Sequence, residues 1–187
     1  MPGKLAALLA SLFGLGAFVA ARSSRAQPQE GKDGPFTSSA AAAEQERPLP
    51  QAAQVASPWV TPPAGAPYVV WFEQATAQFD LPPGLLSRMA YQESAYNQHA
   101  RGAAGEIGLM QFMPTTAKDL GIDPSDPRAS IFAAARYMVQ LYRRFGDWRT
   151  ALAAYNWGQG NVARRGIEAA PSSTQRYVAA IAKDVGL

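Results

Sequence analysis

The sequence of 187 residues contains no cysteine and only one histidine, His99. The absence of cysteine excludes disulfide bonds and thiolate chemistry. A Ser-His-Asp or Cys-His catalytic arrangement would depend entirely on His99, which lies in a polar segment and is expected to face solvent. One histidine and scattered carboxylates are a poor ligand set for a metal ion, so we expect neither a metal nor another cofactor.

The sequence also lacks the signals of nucleotide and nucleic-acid binding. It contains no glycine-rich motif of the P-loop or dinucleotide type. The formal net charge is +3, but three basic residues, Lys4, Arg22 and Arg25, lie in the first 26 residues, which contain no acid. The rest of the chain is close to neutral and has no clustered basic stripe, so we predict no nucleic-acid partner.

The N-terminal segment has the pattern of a secretory signal peptide. A short basic start at Lys4 is followed by an uncharged, mostly apolar run over 5–20 and by small residues that end at Ala26. We therefore predict a signal peptide over 1–26, cleaved after Ala26. The alternative is a membrane anchor, for which the apolar run is slightly short.

Composition divides the remainder into two parts. Residues 27–67 are rich in Ala, Pro, Gln, Ser and Gly and bury too little apolar surface to fold, so we predict a flexible linker. From Tyr68 to Leu187, apolar residues recur at helical spacing, and no segment alternates as a strand would. The pattern predicts an all-α domain of short helices over 68–187, with Gly146 ending the longest helix.

Glu93 is the candidate catalytic residue because of its position in one of these helices. Leu85, Leu86 and Met89 recur at helical spacing, and Glu93 follows Met89 by four residues on the same stripe. A carboxylate on an apolar face is costly unless it is paired or functional. Desolvation helps a carboxylic acid to keep its proton near neutral pH, as a general acid must. The alternative is that Glu93 ends the helix and points to solvent.

Four short motifs in order give this region a resemblance to a known family. They are Glu93-Ser94, the run 108–117 (GLMQFMPTTA), the run 154–160 (AYNWGQG), and Arg176-Tyr177-Val178. In order and spacing they resemble the soluble lytic transglycosylase (SLT-type) catalytic domain. The resemblance covers about residues 68–187 and implies the lysozyme-like fold that this family shares with goose-type lysozyme.

The resemblance also implies roles for individual residues. Glu93 would act first as the acid and then as the base that cleaves the MurNAc–GlcNAc β-1,4 bond of peptidoglycan. The muramyl 6-hydroxyl would be the nucleophile, giving a 1,6-anhydro product. For Tyr155 and Met113, simple core packing is an equally good interpretation. The resemblance implies substrate contacts from Ser94, Gln111, Met113, Tyr155 and Asn156.

Two alternatives to this function remain open at the level of sequence. A hydrolase of the goose-lysozyme type would need a second carboxylate to activate water, and none is identified in the motifs. Glu106 departs from the family pattern near the cleft, but we expect it to be a solvent-facing loop residue. The other alternative is a non-catalytic protein that binds peptidoglycan or assists its assembly.

The expected setting of the protein follows from the leader segment and the resemblance. A signal peptide and a linker before a peptidoglycan-cleaving domain predict export to the periplasm. The expected partner is the glycan strand of peptidoglycan, and the domain is expected to act as a monomer. By analogy, the domain is expected to open the wall locally for a secretion or conjugation apparatus.

Overall fold

The computed structural model describes residues 68–187. The signal peptide predicted over 1–26 and the linker predicted over 27–67 lie outside the described residues. No β-strand occurs between residues 68 and 187, so the predicted all-α fold is confirmed. The elements are α1 (Val69–Gln78), α2 (Leu85–Ser94), α3 (Pro114–Asp119), α4 (Pro127–Phe145), α5 (Trp148–Trp157), α6 (Gln159–Arg165), a short 3-10 helix (Ile167–Ala169) and α7 (Ser172–Val185).

Helix α5 forms the centre of the domain. It packs against α4, α6 and α7, while α1 packs against both α2 and α4. Ala151, Leu152, Ala153 and Ala154 of α5 are each 0% exposed, so this helix is buried on more than one face. Its small side chains allow the neighbouring helices to approach closely. None of the helices in residues 68–187 has the length and apolar character that crossing a membrane requires.

The junction between α4 and α5 is set by local sequence. Gly146 follows α4 with a φ of 78°, a conformation that glycine adopts without a steric penalty. The next residue, Asp147, begins α5 because its carboxylate accepts hydrogen bonds from the backbone N–H and the hydroxyl of Thr150. Gly146 therefore ends the longest helix as predicted, and the chain turns directly into the central helix.

Helix α2 is attached to α7 by a partly buried ion pair. The Arg88 guanidinium donates a hydrogen bond from Nε to Oδ2 of Asp184. Arg88 also lies over the ring of Tyr91, with 4.9 Å between its guanidinium carbon and the ring centroid. These contacts attach α2 to α7, and Glu93 is among the buried residues of the same helix.

Helix α6 was not predicted from the sequence. Its seven residues, Gln159–Arg165, include a glycine and lack a regular apolar stripe. Gly158 separates α5 from α6 with a φ of 98°, a backbone conformation that favours glycine. The contact between α6 and α5, rather than local helix propensity, accounts for the helix.

Candidate active site

Glu93 lies in the last turn of α2 and is buried, with 7% of its surface exposed. The apolar residues that precede it on the same face, Leu86 and Met89, are 0% exposed. The predicted position on the apolar stripe is therefore confirmed, and the alternative of a solvent-directed helix end is wrong. A carboxyl group is chemically able to donate and accept a proton, which is the property that general acid–base catalysis requires.

The segment facing this end of α2 is a tight loop over 101–112, called here the 101–112 loop. Isolated β-bridges join Ile107 to Arg101 and to Phe112, so the loop folds back on itself twice. Gly108 has a φ of 78°, and a methyl group there would lie 2.0 Å from the carbonyl oxygen of Pro124. Only glycine fits at this position, which explains the first residue of the Gly-Leu-Met-Gln motif.

Two side chains from different helices hold consecutive carbonyl groups of this loop. Ser94, next to Glu93, donates its hydroxyl hydrogen to the carbonyl oxygen of Leu109 at 2.8 Å. Tyr155 of α5 donates from its phenol to the carbonyl oxygen of Met110 at 2.9 Å. The structure therefore brings Ser94 and Tyr155 together around the 101–112 loop, beside Glu93.

Tyr155 also belongs to a partly buried aromatic cluster. Its ring centroid lies 5.8 Å from that of Phe112 and 5.9 Å from that of Tyr137. The Tyr155 ring thus packs against its aromatic neighbours, and its hydroxyl bonds to the 101–112 loop. Tyr155 therefore contributes to core packing and also positions the loop. The participation of Tyr137 was not predicted from the sequence, because it lies 18 residues before Tyr155 on a different helix.

Gln111 is buried within the loop and is not directed freely outward. Its side-chain Nε2 donates to the carbonyl oxygens of Gly108 at 2.8 Å and Ala100 at 3.3 Å. Its backbone has a φ of 50°, which is uncommon for a residue other than glycine. Both amide hydrogens are used within the protein, so only the side-chain oxygen remains to contact a ligand.

The expectation that Glu106 faces solvent is wrong, because the residue is 4% exposed. The cause is the double fold of the 101–112 loop, which turns the Glu106 side chain back over Gly102. Its Oε2 accepts a hydrogen bond from the backbone N–H of Ala104 at 3.1 Å, and its own carbonyl accepts from the N–H of Gly102 at 2.9 Å. The missing side chain at Gly102 provides the space for the carboxylate.

The remaining two predicted substrate contacts occupy different environments. Met113 is half-buried and immediately precedes α3. Asn156 is 6% exposed, and its Oδ1 accepts a hydrogen bond from the hydroxyl of Thr174 in α7 at 2.9 Å. Asn156 thus links α5 to α7, a contact that the sequence did not predict.

The sequence also did not identify Tyr96 as part of this region. Its hydroxyl shares a hydrogen bond with Ser87 Oγ at 3.0 Å, and its ring packs near Phe72 and Tyr91. Burial raises the pKa of the Tyr96 phenol above its ordinary value of 10.0, while the hydrogen bond to Ser87 acts in the opposite direction. The Tyr96 phenol is therefore neutral, and its contacts hold in place the segment that follows α2.

Two further features of the described residues concern metal ligands and His99. No three His, Asp or Glu side chains between residues 68 and 187 are grouped so that they could hold a metal ion. His99 is exposed as predicted, with its ring nitrogen 3.0 Å from the side chain of Gln98. What the site contains is a buried carboxyl group at a helix end, next to a loop held in place by Ser94 and Tyr155.

Comparison with known proteins agrees with this geometry. Residues 71–178 match the family model described as Transglycosylase SLT domain. Membrane-bound lytic murein transglycosylase F 2 of Alkalilimnicola ehrlichii is 41% identical over 99 residues, which are 49% of this chain and 22% of that protein. The transglycosylase of Enterobacteria phage PRD1 is 36% identical over 121 residues, which are 63% of this chain and 43% of that protein. The chain thus spans less than half the length of these relatives.

A solved structure gives the same result for the fold. It is the X-ray structure of lytic transglycosylase Slt from Pseudomonas aeruginosa, in an inactive mutant with glutamate replaced by glutamine. It superposes with a TM-score of 0.54 at 25% sequence identity, and the match covers 64% of this chain and 24% of that chain. The predicted relationship to the SLT-type, lysozyme-like domain is confirmed.

Proposed function

Because the chain belongs to the Transglycosylase SLT domain family, we propose that it is a peptidoglycan lytic transglycosylase with Glu93 as its general acid and base. The observation that carries this proposal is the burial of Glu93 beside a loop that the adjacent Ser94 holds through Leu109. The names of the two relatives and the inactive glutamate mutant of the solved relative support the same chemistry.

In the proposed first step, the Glu93 carboxyl group donates its proton to the glycosidic oxygen of a MurNAc–GlcNAc β-1,4 linkage. The bond from the muramyl anomeric carbon to that oxygen breaks, and positive charge develops on the sugar ring. Glu93 is then a carboxylate beside the reacting sugar, which is the form that can accept a proton in the next step.

In the second step, the Glu93 carboxylate takes the proton of the muramyl 6-hydroxyl as that oxygen attacks the anomeric carbon. The product has a 1,6-anhydro ring, Glu93 regains its proton, and no water is consumed. An intramolecular nucleophile has a large effective concentration, so one carboxyl group suffices. Gln111 would contribute its side-chain oxygen to substrate binding, because its amide group donates to the carbonyl oxygens of Gly108 and Ala100.

We propose that the other predicted contacts surround the same reaction centre. Met113 would form part of the wall for the acetylated sugar, and Tyr155 would hold the 101–112 loop against α5. Ser94 would act through the loop, since its hydroxyl is bonded to Leu109. Asn156 would support this wall through its hydrogen bond with Thr174.

The test is mass spectrometry of the muropeptides that the purified protein releases from sacculi. The wild type should give anhydromuramyl ends, which are lighter than reducing ends by one water. Glu93→Gln should lower the rate by at least ~100-fold, the usual contribution of general acid–base catalysis. Glu73→Gln is the matched control, because Glu73 is exposed on α1, and it should retain activity.

Burial of Glu106 favours one alternative, hydrolysis with a second carboxylate that activates water. This enzyme would release reducing ends, and Glu106→Gln would abolish their formation. Accumulation of reducing ends by the wild type would therefore contradict the transglycosylase mechanism. If instead Glu93→Gln retained full cleavage, the assignment of Glu93 would fail.

We further propose that the domain acts in the periplasm as a monomer, after export by the segment 1–26, and that it opens the wall locally for a secretion or conjugation apparatus. One relative is named a membrane-bound lytic murein transglycosylase, which supports a location at the cell envelope. Fractionation of cells should recover a tagged protein in the periplasm, shortened at Ala26. Recovery in the cytoplasm at full length would contradict export.

A further inference from the structure

Two side-chain oxygen atoms converge at Gly102 in the 101–112 loop. A methyl carbon on this glycine would lie 2.1 Å from Oε2 of Glu106 and 3.0 Å from Oε1 of Gln111. Both of these residues are buried, with 4% and 8% of their surfaces exposed. Because both oxygens lie within 3.0 Å of one point, a single nitrogen atom at an ordinary N–H···O distance can bond to both. We call these two atoms the oxygen pair.

The orientation of the Gln111 amide is determined by its neighbours. Its nitrogen, Nε2, donates to the carbonyl oxygens of Gly108 at 2.8 Å and Ala100 at 3.3 Å. Carbonyl oxygens only accept hydrogen bonds, so the amide oxygen cannot take the place of this nitrogen and lies beside Gly102 instead. Within residues 68–187, no donor is hydrogen-bonded to Gln111 Oε1. This buried oxygen therefore keeps its capacity to accept.

The carboxylate of Glu106 adds a negative charge to the oxygen pair. Its Oε2 accepts a hydrogen bond from the backbone N–H of Ala104 at 3.1 Å, and a carboxylate has about four acceptor positions in all. Two acceptor oxygens this close repel each other, and a donor that bonds to both relieves the repulsion. The carboxylate favours a positively charged donor, because charge-assisted hydrogen bonds are about twice as strong as neutral ones.

A primary ammonium group has the properties that the oxygen pair requires of a ligand. It has a positive charge and three N–H donors on one nitrogen atom, so it can bond to both oxygens from one position. The amide nitrogen of an acetylated amino sugar has a single hydrogen and no charge. The oxygen pair therefore distinguishes a free amino group from an acetylated one.

The loop that contains the oxygen pair borders the candidate active site. Ser94, the residue after Glu93, bonds to this loop through the carbonyl oxygen of Leu109, two residues before Gln111. Glu106 is also a position at which this sequence departs from the family pattern. The negative charge of the oxygen pair is therefore a feature that can give this chain a substrate preference of its own.

We infer that the oxygen pair binds a primary ammonium group of the peptidoglycan strand, and that Glu106 determines this preference. The inference rests on the proposed function, since it takes peptidoglycan as the substrate. Two parts of peptidoglycan can present such a group. One is an amino sugar that has lost its acetyl group, and the other is an amino acid of the peptide stem that has a second amino group.

The test compares the binding of proteins that differ in one charge. Glu106→Gln removes the negative charge but keeps the length of the side chain and one acceptor oxygen. Glu73→Gln is the matched control, because it makes the same exchange at an exposed position on α1. Every protein, including the parent, also contains Glu93→Gln, so that the strands stay intact during titration calorimetry.

Four preparations of soluble strands separate the two sources of ammonium. Peptide-bearing strands, released from sacculi by an endopeptidase, are used before and after acetic anhydride converts their amino groups to amides. Strands freed of peptides by an amidase are used fully acetylated and again after a deacetylase exposes sugar amino groups. Glu106→Gln should bind about tenfold more weakly than the parent to one or both amine-bearing preparations, the loss expected for a hydrogen bond to a charged group. A loss on deacetylated strands identifies the sugar amine, and a loss on peptide-bearing strands identifies the peptide amine.

The acetylated strands are the internal control. Glu106→Gln and the parent should bind them equally, and Glu73→Gln should match the parent on all preparations. A loss that persists on acetylated strands, or equal binding on every preparation, would overturn the inference. The parent gives a second test that needs no change at Glu106: it should bind amine-bearing strands more tightly than their acetylated forms. This comparison decides the matter if thermal melting shows that Glu106→Gln does not fold.

Two other results are distinguishable from these. Binding that requires added Ca²⁺ and is abolished by a chelator would assign the oxygen pair to a metal ion and overturn the inference. Absence of anhydromuramyl products from the wild type would contradict the proposed function. The binding difference, measured in proteins that contain Glu93→Gln, would still decide the role of the oxygen pair.

Discussion

The carboxylate of Glu106 occupies the space that a side chain at Gly102 would need. A methyl group at position 102 would lie 2.1 Å from Glu106 Oε2 and 3.0 Å from Gln111 Oε1. The backbone of Gly102 is outside the left-handed region, so a larger residue here would be opposed by this side-chain contact and not by the backbone conformation. Gly102 and Glu106 are therefore one structural unit within the 101–112 loop.

Gly102→Ala should destabilise the protein by ~1–3 kcal/mol, the usual cost of overpacking a filled site. In a protein that already contains Glu106→Ala, the same substitution should cost less, because the carboxylate that it would contact is gone. Urea unfolding of the four proteins in this cycle measures the coupling, which should reach at least ~0.5 kcal/mol. Strictly additive effects would show that the two residues act independently.

Ser94→Ala and Tyr155→Phe should each release one carbonyl group of the 101–112 loop. Each substitution removes one hydrogen bond and should cost about 1 kcal/mol in the free energy of unfolding. Each should also slow peptidoglycan turnover, because the loop would be held less firmly beside Glu93. Denaturant unfolding and initial rates of muropeptide release check the two effects.

Tyr68→Phe is the matched control for these two variants. It removes the hydrogen bond from the Tyr68 phenol to Gln98, which lies outside the 101–112 loop. We expect a similar loss of stability with turnover retained. If Tyr68→Phe slowed turnover as much as Tyr155→Phe, the loop would not be the reason for the effect.

The sequence predicted the helices whose apolar spacing is regular and whose ends have strong local signals. Gly146 and Asp147 are such signals, because a glycine after the last turn and an aspartate before the first act through neighbouring backbone groups. Helix α6 has neither a regular stripe nor a side-chain cap, and its stability comes from packing on α5. Local patterns do not contain that information.

The same distinction applies to the site. The burial of Glu93 was predictable, since its position on the stripe of Met89 depends only on helical periodicity. The burial of Glu106 was not predictable, because it depends on how the loop folds over Gly102. The Asn156–Thr174 bond likewise joins residues 18 positions apart, and it depends on how α5 and α7 pack.

Asp184→Asn should weaken the attachment of α2 to α7. The substitution removes the negative charge of Asp184 from beside the Arg88 guanidinium, whose side chain is 9% exposed. Hydrogen bonds to charged groups contribute ~1.5–3 kcal/mol, so we expect a loss within that range. A double-mutant cycle with Arg88→Met, followed by urea unfolding, measures the pair, and a coupling free energy near zero would contradict it.

Tyr96 should make the stability of the protein sensitive to alkaline pH. Burial raises the pKa of this phenol in the folded protein above 10.0, so the unfolded chain loses its proton first as the pH rises. The stabilisation from the neutral phenol is complete below the unfolded pKa and is lost as the pH rises through the folded pKa. Unfolding free energies measured from about pH 8 to about pH 11 should therefore fall more steeply for the wild type than for Tyr96→Phe.

The comparison with Tyr96→Phe isolates this residue from the other tyrosines, which titrate in both proteins. Tyr96→Phe also removes the hydrogen bond to Ser87, so its stability near neutral pH should be lower by about 1 kcal/mol. The two unfolding curves should then converge as the pH rises, because the wild type loses an advantage that the variant never had. Parallel curves across this range would show that the phenol has the same pKa in the folded and unfolded states.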